Sequence, residues 1–109
     1  MSKTTFRPRN EFRYNFSKKH KNYVFGETED KFYSLGITHE AYTFGRRNMP
    51  LKVNPQYGKK EKAYIRNGVI IDKKRSYGRP LRGYRFGVED YRNVKSKIRK
   101  YKRKIKNSK

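Results

Sequence analysis

The sequence predicts an α+β domain, with a small antiparallel sheet of about four to five strands and one amphipathic, basic helix across a face of it. Two patterns indicate this class: β-prone aromatic runs that flank turn residues in the middle of the chain, and apolar residues at helical spacing near its end. With 109 residues, of which 32% are hydrophobic, the chain has room for one small core. Because there are 10 Tyr, 7 Phe and no Trp, that core must be largely aromatic.

Residues 1–21 predict a flexible basic N-terminal arm, and residues 22–109 a single domain that ends in the basic helix. Pro8 and the lack of helical periodicity argue for an extended conformation in the arm. A disordered basic tail is one alternative. Phe12, Tyr14 and Phe16 alternate with polar residues, so a short strand is the other, provided that a sheet or a partner receives it.

Residues 22–37 predict a β-hairpin, because two β-prone runs flank the acidic turn Glu27-Thr28-Glu29-Asp30. Four of the nine acids of the chain lie between Glu27 and Glu40. We therefore expect this loop to face away from any polyanion or to contact a basic segment.

Residues 38–62 predict a long connection, broken by two glycines and two prolines, and a connection this long is often functional. Residues 63–73 then predict a second hairpin, since Asn67-Gly68 stands between two β-branched runs and suits a type I′ turn. A loop follows, and residues 83–86 predict a short strand.

The last element is predicted as a helix from Gly87 to Ile105, with Gly87 as N-cap and with Glu89 and Asp90 in the first turn, where the helix dipole favours negative charge. The predicted apolar stripe consists of Val88, Tyr91, Val94, Ile98, Tyr101 and Ile105. Lysines and arginines cover the remaining faces.

Charge dominates the functional interpretation, because 31 Lys and Arg stand against 9 acids and give a net charge of +22. A polyanion would relieve the self-repulsion, and nucleic acid is the polyanion that fits best. Tyr-rich strands and the lack of a long apolar run argue against a membrane as partner. With no cysteine and two histidines, the sequence predicts neither a metal site nor a cofactor. The first twelve residues contain no apolar run, so we expect no signal peptide and a cytoplasmic location.

The leading functional prediction is a nucleic-acid-binding protein that neutralises phosphates with cations and stacks aromatic rings on unpaired bases. RNA or single strands are preferred over DNA, because the chain is rich in aromatics and shows no helix-turn-helix pattern, and the few base-reading side chains of the helix favour phosphate contacts over sequence readout. The residues predicted to bind nucleic acid are Arg7, Arg9, Arg13, Arg46, Arg47, Lys52, Arg66, Lys73, Lys74, Arg75, Arg79, Arg82, Lys95, Arg99, Lys102 and Arg103.

A metal-independent ribonuclease is the second prediction. Such an enzyme needs a base for the 2′-hydroxyl, a proton donor for the leaving oxygen and cations for the phosphorane. His39 could be the base or the acid, and Arg46 and Arg47 could supply the charge, so these three residues form the predicted catalytic set. A structural component of a ribonucleoprotein particle or a virion is the third prediction, and it needs no catalytic residue.

The runs YSLGITHEAYTFGRRNMPL, NPQ, AYIRNGVIIDKK and GYRF, followed by a basic helix, resemble small basic proteins of Gram-positive prophages and mobile elements. That resemblance implies no particular activity. The layout over residues 23–106 is also similar to the compact sheets of barnase- and RelE-type ribonucleases. In RelE-type toxins Arg, Lys and Tyr do the work of a metal, but no motif matches residue by residue, so the resemblance transfers no site.

Overall fold

The computed structural model describes residues 5–106, so the predictions for the first four residues of the arm and for the C-terminal tail lie outside the described residues. The elements are the strands β1 (Arg7–Asn15), β2 (His20–Glu27), β3 (Lys31–Thr38), β4 (Tyr42–Thr43), β5 (Arg46–Arg47), β6 (Met49–Pro50), β7 (Tyr64–Lys73) and β8 (Tyr77–Pro80), a 3-10 turn at Lys74–Ser76, and the helix α1 (Val88–Lys106).

Six strands form one antiparallel sheet in the order β6-β7-β3-β2-β1-β8, and β4 pairs with β5 as a separate small hairpin. The predicted α+β class is therefore confirmed, with a sheet slightly larger than the four to five strands expected. The predicted hairpin of residues 22–37 is confirmed as β2 and β3, which pair from Asn22 opposite Gly36 to Glu27 opposite Phe32.

The C-terminal helix begins and ends within one residue of the predicted bounds. The carbonyl of Gly87 accepts the first helical hydrogen bond from the N–H of Tyr91 at 2.8 Å, as expected of an N-cap residue. Val94 and Ile98 are buried, but Val88 is 80% exposed, so the apolar stripe contacts the core only along its middle.

One face of the sheet packs against α1 through aromatic rings. Phe12, Tyr23 and Phe86 meet with ring centroids 4.9 to 5.2 Å apart, and Phe25 and Leu35 extend the same cluster. Phe25, Phe32, Phe86 and Ile65 are buried and Tyr91 and Val69 are half-buried, whereas Ile71 is exposed.

The sheet is curled around its other face. Asn15 of β1 donates from Nδ2 to Oδ2 of Asp72 in β7 at 2.9 Å, although β2 and β3 lie between these strands. In a flat sheet three strand spacings would separate them by about 14 Å. Tyr77 packs inside the curl, edge-on to Phe32, and its hydroxyl contacts Oγ of Ser34 at 2.7 Å.

The second predicted hairpin is wrong, because residues 64–73 form one continuous strand along β3. Leu35 pairs with Val69 and Ile37 pairs with Ile65, so the three residues between Ile65 and Val69 lie opposite a single residue of β3 as a bulge. Neither Asn67 nor Gly68 has the positive φ that a type I′ turn requires. The predicted strand at residues 83–86 is also wrong, since only Tyr84 forms an isolated bridge, to Gln56.

The predicted N-terminal arm contains a strand instead. Arg7–Asn15 pairs with β2 on one side and with β8 on the other, so the sheet itself receives the alternating Phe12 and Tyr14. The boundary between an arm of residues 1–21 and a domain of residues 22–109 therefore does not hold for the described part of the arm. The residues that follow β7, predicted as a loop, supply β8, which covers the outer side of β1.

Candidate nucleic-acid interface

The hairpin of β4 and β5 is joined by a two-residue loop, Phe44-Gly45, because Thr43 pairs with Arg46. Phe44 has φ +52° and Gly45 has φ +76°, so both residues lie in the left-handed region that a type I′ turn uses. Phe44 is 95% exposed. A bulky side chain in this backbone conformation costs of order 1–3 kcal/mol, and this ring recovers almost nothing by burial.

A buried asparagine fixes the position of this hairpin. Asn48 donates from Nδ2 to the carbonyl of Glu40 at 3.0 Å and to Oγ1 of Thr43 at 2.7 Å. Its Oδ1 accepts from the backbone N–H and from Nδ2 of Asn67, which lies in the bulge of β7. The hairpin is therefore tied to the main sheet by side-chain hydrogen bonds rather than by a strand pairing.

The turn between β1 and β2 is held in a similar way by the buried Asn15. Its Oδ1 accepts from the backbone N–H of Lys18 at 2.8 Å, and its carbonyl accepts from the N–H of Lys19 at 2.8 Å. Because its Nδ2 is bound to Asp72, the amide of Asn15 cannot rotate without breaking both side-chain contacts. These contacts fix the backbone of the turn that carries the exposed Lys18.

A cleft of about 600 Å³ lies between this turn, the hairpin and the bulge of β7. We call it the hairpin cleft. Lys18, Arg46 and Arg66 line it together with Phe44, and its floor includes Asn67 and Gly68. Among the described residues that line it, none is acidic. The cleft combines three cations, an exposed ring and accessible backbone, which suits a phosphate chain and a base.

Arg66 has a histidine partner. A guanidinium N–H of Arg66 donates to Nε2 of His20 at 3.0 Å, so the proton of the neutral ring is on Nδ1, which donates to the carbonyl of Lys21 at 3.3 Å. Burial lowers the pKa of His20, and the charges of Arg66 and Lys18 lower it further, against the opposing effect of its hydrogen bonds to the carbonyl of Lys21 and with Asn22. A phosphate bound to Arg66 would offset that positive charge and favour protonation of His20.

A second cleft, of about 550 Å³, contains both histidines and is called the histidine cleft here. The pairing of Asn22 with Gly36 places His20 opposite Thr38, so His39 lies one residue beyond that position. Nδ1 of His39 donates to the carbonyl of Lys62 at 3.1 Å, and Lys59 and Glu61 line the same cleft. The predicted catalytic set is therefore split: His39 lines this cleft with His20, whereas Arg46 lines the hairpin cleft and Arg47 is exposed on β5.

Five of the predicted binding cations make ion pairs within the protein, four of them with Glu11 or Glu27. Glu27 accepts from Arg9 at 3.4 Å and from Lys74 at 2.9 Å, and its carboxylate lies 3.7 Å from Arg7. Glu11 pairs with both Arg9 and Arg13, and Arg13 also donates to the carbonyl of Gly78. The hydrogen bond from Lys74 is the main reason that the pKa of Glu27 is lowered, and Glu11 is the main reason that the pKa of Arg9 is raised.

Three of these cations surround one aromatic ring. Arg13, Lys74 and Arg9 lie 4.7, 5.4 and 5.9 Å from the ring centroid of Phe32, which is buried. We call Phe32, its three cations and their partners Glu11 and Glu27 the Phe32 cluster. The expectation that the acidic loop contacts a basic segment is confirmed by Glu27, whereas the part these cations take in nucleic-acid binding stays a prediction.

The other predicted binding residues lie apart from the hairpin cleft. Nζ of Lys52 pairs with Glu89 at 2.9 Å, which raises the pKa of Lys52 and lowers that of Glu89. The backbone N–H of Lys52 donates to the buried Asp90 of α1, so this loop is clamped to the helix. Lys95, Arg99 and Lys102 line a cleft of about 340 Å³ between α1 and β1. Exposed positions elsewhere are held by Lys73, Arg75, Arg79, Arg82 and Arg103.

Comparisons with protein families, with curated proteins and with solved structures gave no match. The resemblances noted in the sequence thus stay predictions, and a functional proposal has to be argued from the geometry alone. Across residues 5–106 no three His, Asp or Glu side chains are grouped as metal ligands would be. In the same part of the chain no helix combines the length and hydrophobicity needed to cross a bilayer.

Sequence reasoning missed Phe44 and Lys18 in the hairpin cleft and His20 and Lys59 in the histidine cleft. Phe44 had a local signal, since it directly precedes a glycine and two arginines between short polar runs. Lys18 and His20 had none, because their place depends on Asn15 reaching Asp72, which is 57 residues away in the chain.

Proposed function

We propose that this protein is a nucleic-acid-binding protein of the cytoplasm, with RNA preferred over DNA, and that the hairpin cleft is its binding site. One observation carries the proposal: Lys18, Arg46 and Arg66 line a single cleft with an exposed aromatic ring and, among the described lining residues, without an acidic one. The cations neutralise phosphates, and the ring offers a stacking surface to a base.

The net charge of +22 supplies the long-range attraction, and the cleft supplies a place where the bound chain is fixed. Each phosphate that is neutralised releases condensed counterions, so the affinity must fall as salt concentration rises. Arg46 and Lys18 are exposed, and Arg66 is oriented by His20, so all three can reach a ligand without breaking an ion pair that the structure shows.

Binding to fluorescently labelled RNA and DNA, single- and double-stranded, between about 50 and 200 mM salt tests this proposal. We expect a steep fall of the association constant with salt for every ligand and the highest affinity for RNA. Binding that does not change over this range would contradict the proposed function.

A metal-independent ribonuclease activity is the second candidate, and the histidine cleft is the observation that favours it. The N–H on Nδ1 of His39 is bound to the carbonyl of Lys62, which leaves Nε2 as a base. In this reaction the 2′-hydroxyl loses its proton to Nε2 and its oxygen bonds to the adjacent phosphorus. The bond from phosphorus to the 5′-oxygen then breaks, and that oxygen takes a proton from the ammonium of Lys59, which leaves a 2′,3′-cyclic phosphate.

The test is incubation of the purified protein with RNA in EDTA, followed by analysis of the product ends. The candidate requires cyclic phosphate ends, loss of cleavage in His39→Ala and cleavage retained in Arg103→Ala, because Arg103 is exposed on α1 and lines neither cleft. Intact RNA, or equal cleavage by wild type and His39→Ala, would remove this candidate and leave the binding proposal standing.

A further inference from the structure

Phe44 is an unfavourable residue type for the turn position that it occupies. The first residue of a two-residue turn with positive φ favours Asn, Asp or Gly, because their short side chains tolerate the left-handed region. Phe44 has φ +52° and is 95% exposed, so its ring neither eases the turn nor packs into the core. The ring is thus held where it can contact a second molecule.

The surroundings of this ring identify the chemistry of that molecule. Arg46, Arg66 and Lys18 line the same cleft, and each can neutralise a phosphate. A ligand that offers an apolar, planar group together with several negative charges is a nucleotide chain. In a duplex the faces of the bases are covered by their neighbours, whereas a single strand exposes them for stacking.

We propose that Phe44 stacks on an unpaired base, so that the ligand of the hairpin cleft is a single-stranded segment of nucleic acid. This inference rests on the proposed function and makes its ligand class specific. The cations hold the phosphates on either side of the stacked base, and Asn48 keeps the ring at a fixed place relative to them. The strained turn thus presents an almost fully accessible aromatic face on a backbone that side-chain hydrogen bonds hold in place.

The chain has no tryptophan, so Phe44→Trp places a single indole at the site, and its emission is excited selectively over that of the 10 Tyr at the red edge of their absorption. The probes are a single-stranded RNA of about 12 nucleotides, the DNA of the same sequence and the corresponding blunt RNA duplex. We expect both single strands to quench the emission of the introduced indole strongly. At equal occupancy the duplex should quench it little. The occupancy is measured by the anisotropy of a labelled probe. Equal quenching by strand and duplex, or none by a bound strand, would overturn the inference.

A matched pair of variants gives an independent readout. Phe44→Asn removes the ring and suits the turn better, so we expect an unchanged or raised unfolding midpoint and an affinity for the single strand that falls about fivefold or more. Tyr57→Asn is the control, because Tyr57 is 91% exposed and also precedes a glycine with positive φ, but lines a different cleft. It should leave the affinity unchanged.

The failures of the two proposals are distinguishable. Loss of salt-dependent binding in the wild-type protein contradicts the proposed function itself. Binding that keeps its salt dependence while Phe44→Asn and Tyr57→Asn have equal affinity contradicts only the stacking inference. The salt slope of Phe44→Asn should equal that of the wild type, because the ring neutralises no phosphate.

Discussion

The Phe32 cluster and the hairpin cleft each combine three cations with one phenylalanine. In the cluster, the ring of Phe32 is surrounded by Arg9, Arg13 and Lys74. The hairpin cleft is lined by Phe44 together with Lys18, Arg46 and Arg66. In the first group the ring is buried and two glutamates neutralise the cations. In the second group the ring is exposed and no acidic residue lines the cleft among the described residues.

The difference shows what decides whether a basic cluster can bind a polyanion. A cation that is already held by a carboxylate loses that partner when it turns to a phosphate, so its net gain is small. A cation without such a partner exchanges only water and counterions. What separates the Phe32 cluster from the hairpin cleft is therefore the presence of Glu11 and Glu27, and not the number of lysines and arginines.

The largest effect is expected from a charge reversal in the hairpin cleft. Arg46→Glu should lower the affinity for single-stranded RNA about 100-fold, since it removes a phosphate contact and adds a repulsive charge. The unfolding free energy should change by less than about 0.5 kcal/mol, because Arg46 is exposed. Arg103→Glu on α1 is the charge-matched control, and an equal loss of affinity in both variants would erase the distinction between the cleft and the general surface.

Glu27→Gln tests the other half of the comparison. It leaves Arg7, Arg9 and Lys74 without their shared carboxylate, and the side chain of Glu27 is only 11% exposed, so we expect a loss of about 1–3 kcal/mol in urea unfolding. The affinity for RNA should rise rather than fall, by up to about threefold, because cations that lose their carboxylate partner can neutralise phosphate. Because the pKa of Glu27 is lowered from 4.5, its stabilisation is complete above that pH and is lost as pH falls through the lowered value. If Glu27→Gln has the same free energy of unfolding as the wild type, the Phe32 cluster does not stabilise the fold.

Asn48→Ala should weaken binding through the position of the hairpin. The variant loses the hydrogen bonds that join Thr43, Glu40 and Asn67, which we expect to cost about 1–2 kcal/mol of unfolding free energy. Hydrogen exchange should speed up at residues 41–48 more than in β2 and β3. If exchange at the hairpin matches the wild type while the affinity falls, Asn48 does not act by positioning.

The smallest expected effect is that of pH on the free energy of unfolding. Since the pKa of His20 is lowered from 6.5, the unfolded chain binds more protons than the native protein at this site. Stability should therefore fall as pH drops from 6.5 through the lowered pKa of the native state, where Arg66 and Lys18 face the ring. Chemical unfolding at several pH values, compared with His20→Gln, should show this dependence only in the wild type. Bound RNA should reduce it, because phosphate offsets the two charges.

Local patterns predicted the elements whose partners are close in sequence. The helix α1 followed from the spacing of Tyr91, Val94 and Ile98 and from its acidic first turn, and the β2–β3 hairpin from its turn between two β-prone runs. Local turn chemistry gave the wrong prediction at Asn67-Gly68 and no prediction at Phe44-Gly45. Asn67-Gly68 has the better turn chemistry, yet pairing with β3 and the contact with Asn48 hold it in a bulge, while the turn forms at Phe44-Gly45.

The candidate site was only partly predictable for the same reason. Arg46 and Arg66 were among the predicted binding residues, but so were Arg9, Arg13 and Lys74, and the sequence offers no local sign that carboxylates hold the latter. The pairing of Lys74 with Glu27 and the hydrogen bond from Asn15 to Asp72 depend on how the sheet curls. The first pair is separated by 47 positions in the chain and the second by 57, and contacts over such distances cannot be read from composition or periodicity.

The slope of the logarithm of the association constant against the logarithm of the salt concentration tests the central claim most directly. The wild type is compared with the triple variant Lys18→Gln/Arg46→Gln/Arg66→Gln and with the charge-matched variant Arg99→Gln/Lys100→Gln/Arg103→Gln on the exposed side of α1. If the hairpin cleft holds the strand, the first variant loses about 2 units of slope, near 0.7 for each phosphate contact, and the second loses almost none. Equal slopes for the two triple variants, or a larger loss in the α1 variant, would contradict the assignment of the hairpin cleft as the binding site.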